Sequence, residues 1–129
     1  VRKTEEIINY FKPNWWFIEN PATGKMKNYL THLNWYDVDY CMYSDWGYKK
    51  RTRIWTNKEE FMPKLCNKQC GNMLEVEGKK PTLHKNNLGN SGRNKRSNGS
   101  CGTIDTRYRI PPNLIQELLA GCDGELPSH

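Results

Sequence analysis

The chain has 129 residues, which corresponds to one small domain or to part of a larger one. Hydrophobic residues make up 36% and aromatic residues 12%, a composition that excludes a chain disordered throughout. No apolar run approaches the roughly 18 to 20 residues of a membrane helix, and the five cysteines do not indicate a disulfide-stapled secreted domain. These features predict a cytoplasmic protein without a membrane partner. The chain starts at Val1 and enters a helical pattern at once, so we expect a piece of a longer protein.

The net charge of +6 is concentrated in one segment. From Lys79 to Arg109 there are eight basic residues against one acid, giving +7 there and −1 in the rest of the chain. A phosphate backbone is the commonest target of such a basic segment, because each Lys or Arg placed on a phosphate releases counterions. A solvated loop without a partner is the alternative.

The first elements are predicted from the spacing of apolar residues. Glu5 to Phe11 carries a helical apolar face and is followed by Pro13. The continuous apolar run Trp15 to Ile18 is typical of a strand buried on both faces, as in a parallel sheet, which places Glu19 at the carboxyl end of that strand.

The later elements complete an α/β order. The pattern predicts an amphipathic helix over Lys25 to Leu33 and strands over Tyr36 to Met42 and Arg53 to Thr56. Residues 57–103 are rich in Gly, Asn, Lys and Ser and show no period, which indicates a long irregular loop. A final helix follows Pro111-Pro112 and ends before Gly121. Strand, helix, strand, strand is an α/β signature.

Two short segments carry the chemistry. In open parallel sheets ligands bind beyond the carboxyl ends of strands, so Glu19 in Phe-Ile-Glu-Asn-Pro points to a site; a salt-bridged surface Glu is the alternative. Arg51 and Arg53 alternate at the start of a strand and share one face, a geometry for gripping a phosphate or a carboxylate. A charged edge that prevents strand aggregation is the alternative there.

The order of these segments adds a further indication. Phe-Ile-Glu-Asn-Pro at 17–21, Arg-Thr-Arg at 51–53, Ile-Trp-Thr-Asn at 54–57 and Arg-Ile-Pro-Pro at 109–112 follow one another along the chain. Together they resemble the second half of the DNA cytosine-5 methyltransferases, in the divergent phage and viral type. The resemblance covers roughly Trp15 to Leu119.

This resemblance implies a fold and a division of the chain. It implies the later half of a Rossmann-like α/β methyltransferase domain, with a long irregular basic loop and a closing helix. Residues 1–56 would form part of the Rossmann-like core, 57–103 a reduced target-recognition loop region, and 104–129 the closing motif and C-terminal helix.

The resemblance also implies an activity. In that family a cysteine thiolate adds to carbon 6 of a flipped-out cytosine, and carbon 5 takes a methyl group from S-adenosylmethionine. Glu19 matches the carboxyl group that contacts ring nitrogen 3 and offsets the charge on the ring. Arg51 and Arg53 match the arginines that position the target nucleotide, and Arg109, Ile110 and Pro111 match the closing motif beside the cofactor pocket.

The partners implied are DNA, in a bacterial or phage-infected cell, and the missing N-terminal half of the same protein. The candidate substrate-binding residues lie in the Glu-Asn-Pro motif, in the loop before the arginines and in the basic segment: Asn20, Pro21, Trp46, Lys85, Arg93, Lys95 and Arg96. Trp46 stands in a polar loop beside basic residues, where an indole ring could touch a nucleotide.

Four features depart from the family pattern. Lys49 stands where the family has the Gln of its arginine motif, and the Gly-Asn of the closing motif is replaced near Thr106 to Tyr108. The Pro-Cys pair of the nucleophile and the glycine-rich cofactor loop do not occur in the chain. We therefore expect a fragment that is inactive without the other half.

The cysteines pose a separate question. Cys66, Cys70, His84 and Cys101 could give three thiolates and an imidazole to a tetrahedral zinc ion, and a metal would order a segment that is poor in apolar residues. Their spacing is unlike the tight pairs of common zinc motifs, so free reduced thiols are favoured over a metal site. Cys41, within a predicted strand, is interpreted as a packing residue.

Two other classes of protein remain open. One is a non-enzymatic nucleic-acid-binding module, with or without a stabilising zinc ion. The other is an inactive regulatory half that docks on a catalytic partner.

Overall fold

The computed structural model describes residues 2–86 and 108–122. Helix α1 covers Arg2–Phe11, strand β1 Phe17–Pro21, strand β2 Trp35–Asp39, strand β3 Arg51–Thr56 and helix α2 Pro112–Leu119. Short 3-10 helices lie at Lys25–Asn28 and Tyr40–Met42. Within the described ranges no helix has the length and apolarity needed to cross a membrane. Arg93, Lys95, Arg96 and Cys101 lie outside the described residues.

The strands form one three-stranded sheet in the order β1-β3-β2, with β3 antiparallel to both neighbours. β1 and β2 therefore run in the same direction on either side of β3. The mixture of helix and strand agrees with the α/β expectation at this coarse level. The sheet is small, and each of its pairings is antiparallel.

The core lies between one face of the sheet and α2. Val38, Ile54, Leu114 and Leu118 are buried there together with Tyr40. Pro112 starts α2 in the first-turn position where its missing N–H costs nothing. Lys58, 6% exposed, extends its ammonium group to the carbonyls of Leu118 and Ala120 at the end of α2.

Strand β1 corrects two expectations. The strand covers Phe17–Pro21 instead of Trp15 to Ile18, and it is half-buried beside an antiparallel neighbour instead of fully buried in a parallel sheet. Glu19 consequently lies in the middle of β1, paired with Ile54, and not at its carboxyl end. Trp15 and Trp16 are half-buried but precede the strand, so half of the apolar run lies in the segment that leads into β1.

Two further elements differ from the sequence pattern. The helix expected over Lys25 to Leu33 is a four-residue 3-10 helix, since Leu30 is buried but Tyr29 is 65% exposed, and there is no continuous apolar face to dock. The strand expected over Tyr36 to Met42 ends at Asp39, where the chain turns into the second 3-10 helix.

Candidate functional site

Glu19 lies on the face of the sheet that meets α2. Residues paired across antiparallel strands project to the same face, so Glu19 shares its side with Ile54. The half-buried carboxyl group lines a cavity of about 170 Å³, whose other walls are apolar and come from Phe17, Ile54, Ile110 and residues of α2. Because the walls are apolar, the orientation of the carboxyl group depends on the few polar groups that contact it.

Tyr40 provides one of those polar groups. It begins the 3-10 turn after β2, is fully buried, and its hydroxyl group donates a hydrogen bond of 3.1 Å to Oε2 of Glu19. Burial, and then the negative charge of Glu19, raise the pKa of Tyr40 far above its usual value, so the hydroxyl keeps its proton and remains a donor. The ammonium group of Lys50 lies 5.3 Å from the Tyr40 ring. Burial lowers the pKa of Lys50 against the opposing effect of Glu19.

Arg51 and Arg53 lie on the opposite face of the sheet from Glu19. Each forms a two-pronged ion pair with the aspartate directly across on β2. Nε and Nη2 of Arg51 contact Asp39 at 3.0 and 2.9 Å, and those of Arg53 contact Asp37 at 2.8 and 3.0 Å. The hydrogen bonds to the aspartates raise the pKa of both arginines. The shared face predicted for the two arginines is confirmed by this register.

The two arginines differ in accessibility. The side chain of Arg51 is 42% exposed, whereas that of Arg53 is 17% exposed and stacks 3.6 Å above the ring of Trp35. Arg51 is therefore the better placed of the two to meet a further acceptor.

Asp39 connects the sheet to the long loop. Its fully buried carboxylate accepts hydrogen bonds from Arg51 and, at 2.7 Å, from the backbone N–H of Cys66. Burial alone would raise the pKa of Asp39, but the hydrogen bonds from Arg51 and Cys66 and the charge of Arg51 outweigh it, so the pKa lies below its ordinary value. The sequence pattern did not single out Asp39, although its alternation with Asp37 opposite two arginines was a usable signal.

Trp46 and Arg109 meet in space. The guanidinium group of Arg109 lies 3.8 Å from the centre of the Trp46 ring, and its Nε donates to the hydroxyl of Tyr48 at 3.3 Å. Trp46 is half-buried against the core. The closing motif is thus joined to the loop before β3, with one face of the indole ring occupied by Arg109.

The remaining predicted substrate and cofactor residues are dispersed. Asn20 is paired with Arg53 and Pro21 ends β1, while Ile110 and Pro111 enter α2 beside the Glu19 cavity. Lys85 is exposed and lies on the long loop, with its N–H bonded to the carbonyl of Asn72. The structure brings Glu19 and Ile110 together and keeps the arginine pairs apart from them.

A second cluster forms at the far end of β2. The ligand atoms of Cys41, Cys66, Cys70 and His84 lie within 4.8 Å of one another. Cys41, expected to be a packing residue, is buried in this cluster, whereas Cys101, which the sequence pattern included, lies outside the described residues. Burial, followed by the neighbouring thiols of Cys66 and Cys70, raises the pKa of Cys41.

One curated protein is clearly similar to this chain. It is the "Probable DNA (cytosine-5)-methyltransferase" of Frog virus 3 (isolate Goorha), which is 44% identical over 124 residues. The match covers 95% of this chain and 56% of that protein, so the chain spans little more than half the length of the relative. The resemblance drawn from the motifs is confirmed. No protein-family model matches the chain, and no solved structure matches it significantly.

Proposed function

We propose that this chain is part of a DNA (cytosine-5) methyltransferase, which transfers a methyl group from S-adenosylmethionine to cytosine in DNA. The observation that carries the proposal is the 44% identity, extending over nearly the whole chain, to a viral protein of that name. The structure supports it by placing Glu19 at a small apolar cavity with a neutral tyrosine hydroxyl to orient it.

Glu19 is proposed as the catalytic carboxyl group. Tyr40 binds Oε2, so among the described residues Oε1 is the oxygen that remains for ring nitrogen 3 of the target base. When the carboxyl group carries its proton on Oε1, it would donate that proton to ring nitrogen 3 and so offset the negative charge that develops on the ring as the nucleophile adds to carbon 6. The apolar walls exclude water and strengthen this interaction. The chain contains no Pro-Cys pair, so the thiolate would come from another part of the longer protein.

Arg51 and Arg53 are proposed as positioning residues. Their aspartate partners use two of the five N–H donors of each guanidinium group and hold it in one orientation. The exposed part of Arg51 can then contact a phosphate of the target strand, while Arg53 keeps β2 and β3 in register. Both act on the face opposite the base pocket, so they would contact the DNA backbone or a catalytic loop and not the base held by Glu19.

A complete binding site for the cofactor would need residues beyond those described in this chain. S-adenosylmethionine supplies an electrophilic methyl group, but a cavity of about 170 Å³ is smaller than the roughly 300 Å³ or more of ordinary ligand pockets. Arg109 is also engaged with Trp46 and Tyr48. The described residues therefore do not form a complete cofactor site, and Ile110 and Pro111 are proposed as one wall of it.

DNA is proposed to bind along the basic segment. Lys79, Lys80 and Lys85 are exposed at its start, as phosphate contact requires. Such contacts supply affinity and register without reading bases.

The test is the chemical identity of the product. The longer protein that contains this chain is incubated with duplex DNA and methyl-labelled S-adenosylmethionine, and the DNA is digested to nucleosides. We expect the label in 5-methyl-2′-deoxycytidine. Label in any other nucleoside would contradict the proposal, and DNA binding without any methyl transfer would favour a non-enzymatic nucleic-acid-binding module.

A further inference from the structure

The cysteine and histidine cluster joins distant parts of the chain. Cys41 belongs to the 3-10 turn after β2, whereas Cys66, Cys70 and His84 belong to the long loop, in which His84 pairs antiparallel with Met73. Their four ligand atoms form a compact group in which no two are more than 4.8 Å apart.

The distances within the group suit a tetrahedral metal. The Sγ atoms of Cys66 and Cys70 each lie 3.5 Å from Nε2 of His84. With Zn–S of about 2.3 Å and Zn–N of about 2.0 Å, adjacent sulfur and nitrogen ligands of a tetrahedral zinc are about 3.5 Å apart. The expectation of free thiols rested on the spacing of Cys66 and Cys70, but the three residues between them fall within the roughly two to four found in structural zinc sites.

Among the described residues of the long loop, Met73 is buried and Phe61 packs against the core, but most of the other large apolar side chains are exposed. Met62 is 84% exposed, and Leu65, Val76 and Leu83 are each nearly half exposed. A metal bound between the loop and the sheet supplies the cross-link that apolar burial does not.

The backbone around the cluster is arranged for thiolate ligands. The N–H of Lys68 donates to Sγ of Cys66 at 3.3 Å, and Lys68 adopts a left-handed conformation with φ of 70° that turns the loop over the sulfur. The buried side chain of Asn72 donates to the carbonyl of Cys41 at 2.8 Å. Hydrogen bonds of this kind fix ligands in place around a metal.

We propose that Cys41, Cys66, Cys70 and His84 bind one zinc ion. Four protein ligands leave no open coordination position, so the role of the ion is structural. Three sulfurs and one imidazole select zinc over magnesium or calcium, which prefer oxygen ligands. The site is separate from the Glu19 cavity and does not depend on methyl transfer.

The ion would also act on the sheet through Cys66. The N–H of Cys66 binds the same Asp39 carboxylate that holds Arg51. Fixing the Cys66 backbone therefore fixes the orientation of Arg51, which links loop order to the arginine strand.

The test is the metal content of the full 129-residue chain, purified under reducing conditions without added chelator. We expect about one zinc ion per chain in the wild type, and the same in Cys122→Ser, a matched control because the Cys122 thiol is buried outside the cluster and bonds the Leu118 carbonyl. Cys70→Ser should lose most of the zinc. Full zinc content in Cys70→Ser would overturn the proposal.

A second measurement covers the case in which Cys70→Ser fails to fold. Cobalt(II) is added anaerobically to the metal-stripped wild-type chain, and the absorption spectrum is recorded. Visible bands of tetrahedral cobalt together with a thiolate-to-cobalt band in the near ultraviolet would support the site. A wild-type chain that holds no zinc and shows neither band would overturn it, whether its thiols are free or joined as disulfides.

Discussion

At the scale of single residues, one buried carboxylate connects the three parts of the site. The Asp39 carboxylate accepts two hydrogen bonds from the Arg51 guanidinium group and one from the backbone N–H of Cys66. The backbone N–H of Asp39 donates to the carbonyl of Lys64. A charge that is buried and paired in this way is costly to leave without its partners. The residue therefore couples β2, β3 and the long loop.

Replacing Asp39 by Asn should lower the free energy of unfolding by about 2 kcal/mol at pH 7, the typical worth of hydrogen bonds to a charged group. Because the pKa of Asp39 is below its ordinary value in the fold, this contribution is complete above the unfolded pKa of about 4 and is lost as the pH falls through the folded pKa. Urea unfolding from pH 7 downward measures both effects. The difference in unfolding free energy between the wild type and Asp39→Asn should stay constant from pH 7 to about pH 5 and become smaller below about pH 4.

Asp45→Asn is the control, because Asp45 is exposed and surface changes stay within about 0.5 kcal/mol. Equal stability of the Asp39 and Asp45 variants at pH 7 would show that the Asp39 contacts do not stabilise the fold.

Residues whose roles follow from local pattern were the easier ones to predict. Alternation alone placed Arg51 and Arg53 on one face. The cluster partner Cys41 was missed, because the alternation of Tyr36, Val38 and Tyr40 continued through it as though the strand did. The chain turns after Asp39 instead, and the contact with Cys66 and Cys70 depends on a loop more than 20 residues away, which no local period encodes.

At the scale of elements, the sequence predicted the positions of the helices and strands better than it predicted which strands pair and in which direction. β3 was predicted two residues short, and β1 was placed two residues early. Strand direction depends on connections and on tertiary contacts, so an apolar run such as Trp15 to Ile18 fits a parallel or an antiparallel neighbour equally well. The closing helix was predicted well, because Pro112 and the spacing of Leu114 and Leu118 are local signals.

The end of α2 provides the second prediction. Lys58 donates to two carbonyls there, and Lys58→Met keeps the apolar stem while removing the charge and the donors. We expect a loss of about 2 kcal/mol in unfolding free energy, since hydrogen bonds from a charged donor are removed where the helix dipole is negative. Urea unfolding measures the loss, and amide exchange should show faster opening of α2.

Lys64→Met is the matched control, because Lys64 is a loop lysine whose ammonium group also contacts α2. Lys64 pairs with Glu117 at 2.8 Å, but the two side chains are 47% and 37% exposed. Removing this ion pair should therefore lower the unfolding free energy by well under about 1 kcal/mol. A loss in Lys58→Met no larger than in Lys64→Met would contradict the capping role.

At the scale of the whole molecule, the charge is distributed unevenly, and the proposed DNA contact lies in the basic segment. The segment from Lys79 to Arg109 carries a charge of +7 in a chain whose total is +6. Length, composition and charge could be read directly, because they need no knowledge of packing. The long-range contacts that hold the loop could not, since they join residues that are distant in the sequence.

Neutralising Arg93, Lys95 and Arg96 to Gln should reduce the slope of log affinity for duplex DNA against log salt by about 2 to 3, because each phosphate contact contributes about 0.9. Fluorescence anisotropy over a range of salt concentrations measures the slope. The control changes the same net charge at exposed positions near the other end of the chain, by replacing Lys12, Lys25 and Lys27 with Gln. Equal slopes for the two triple variants would show that the segment does not contact phosphate in particular.

The central claim is that Glu19 is the carboxyl group of a cytosine methyltransferase, and the single-turnover rate of methyl transfer tests it most directly. In the longer protein, Glu19→Gln keeps the shape of the side chain and removes its ability to transfer a proton, whereas Glu60→Gln makes the same change at an exposed loop position. We predict that Glu19→Gln slows transfer about 100-fold or more, the typical worth of a positioned acid or base, while Glu60→Gln transfers at the wild-type rate. Equal rates for the wild type and Glu19→Gln would contradict the assignment.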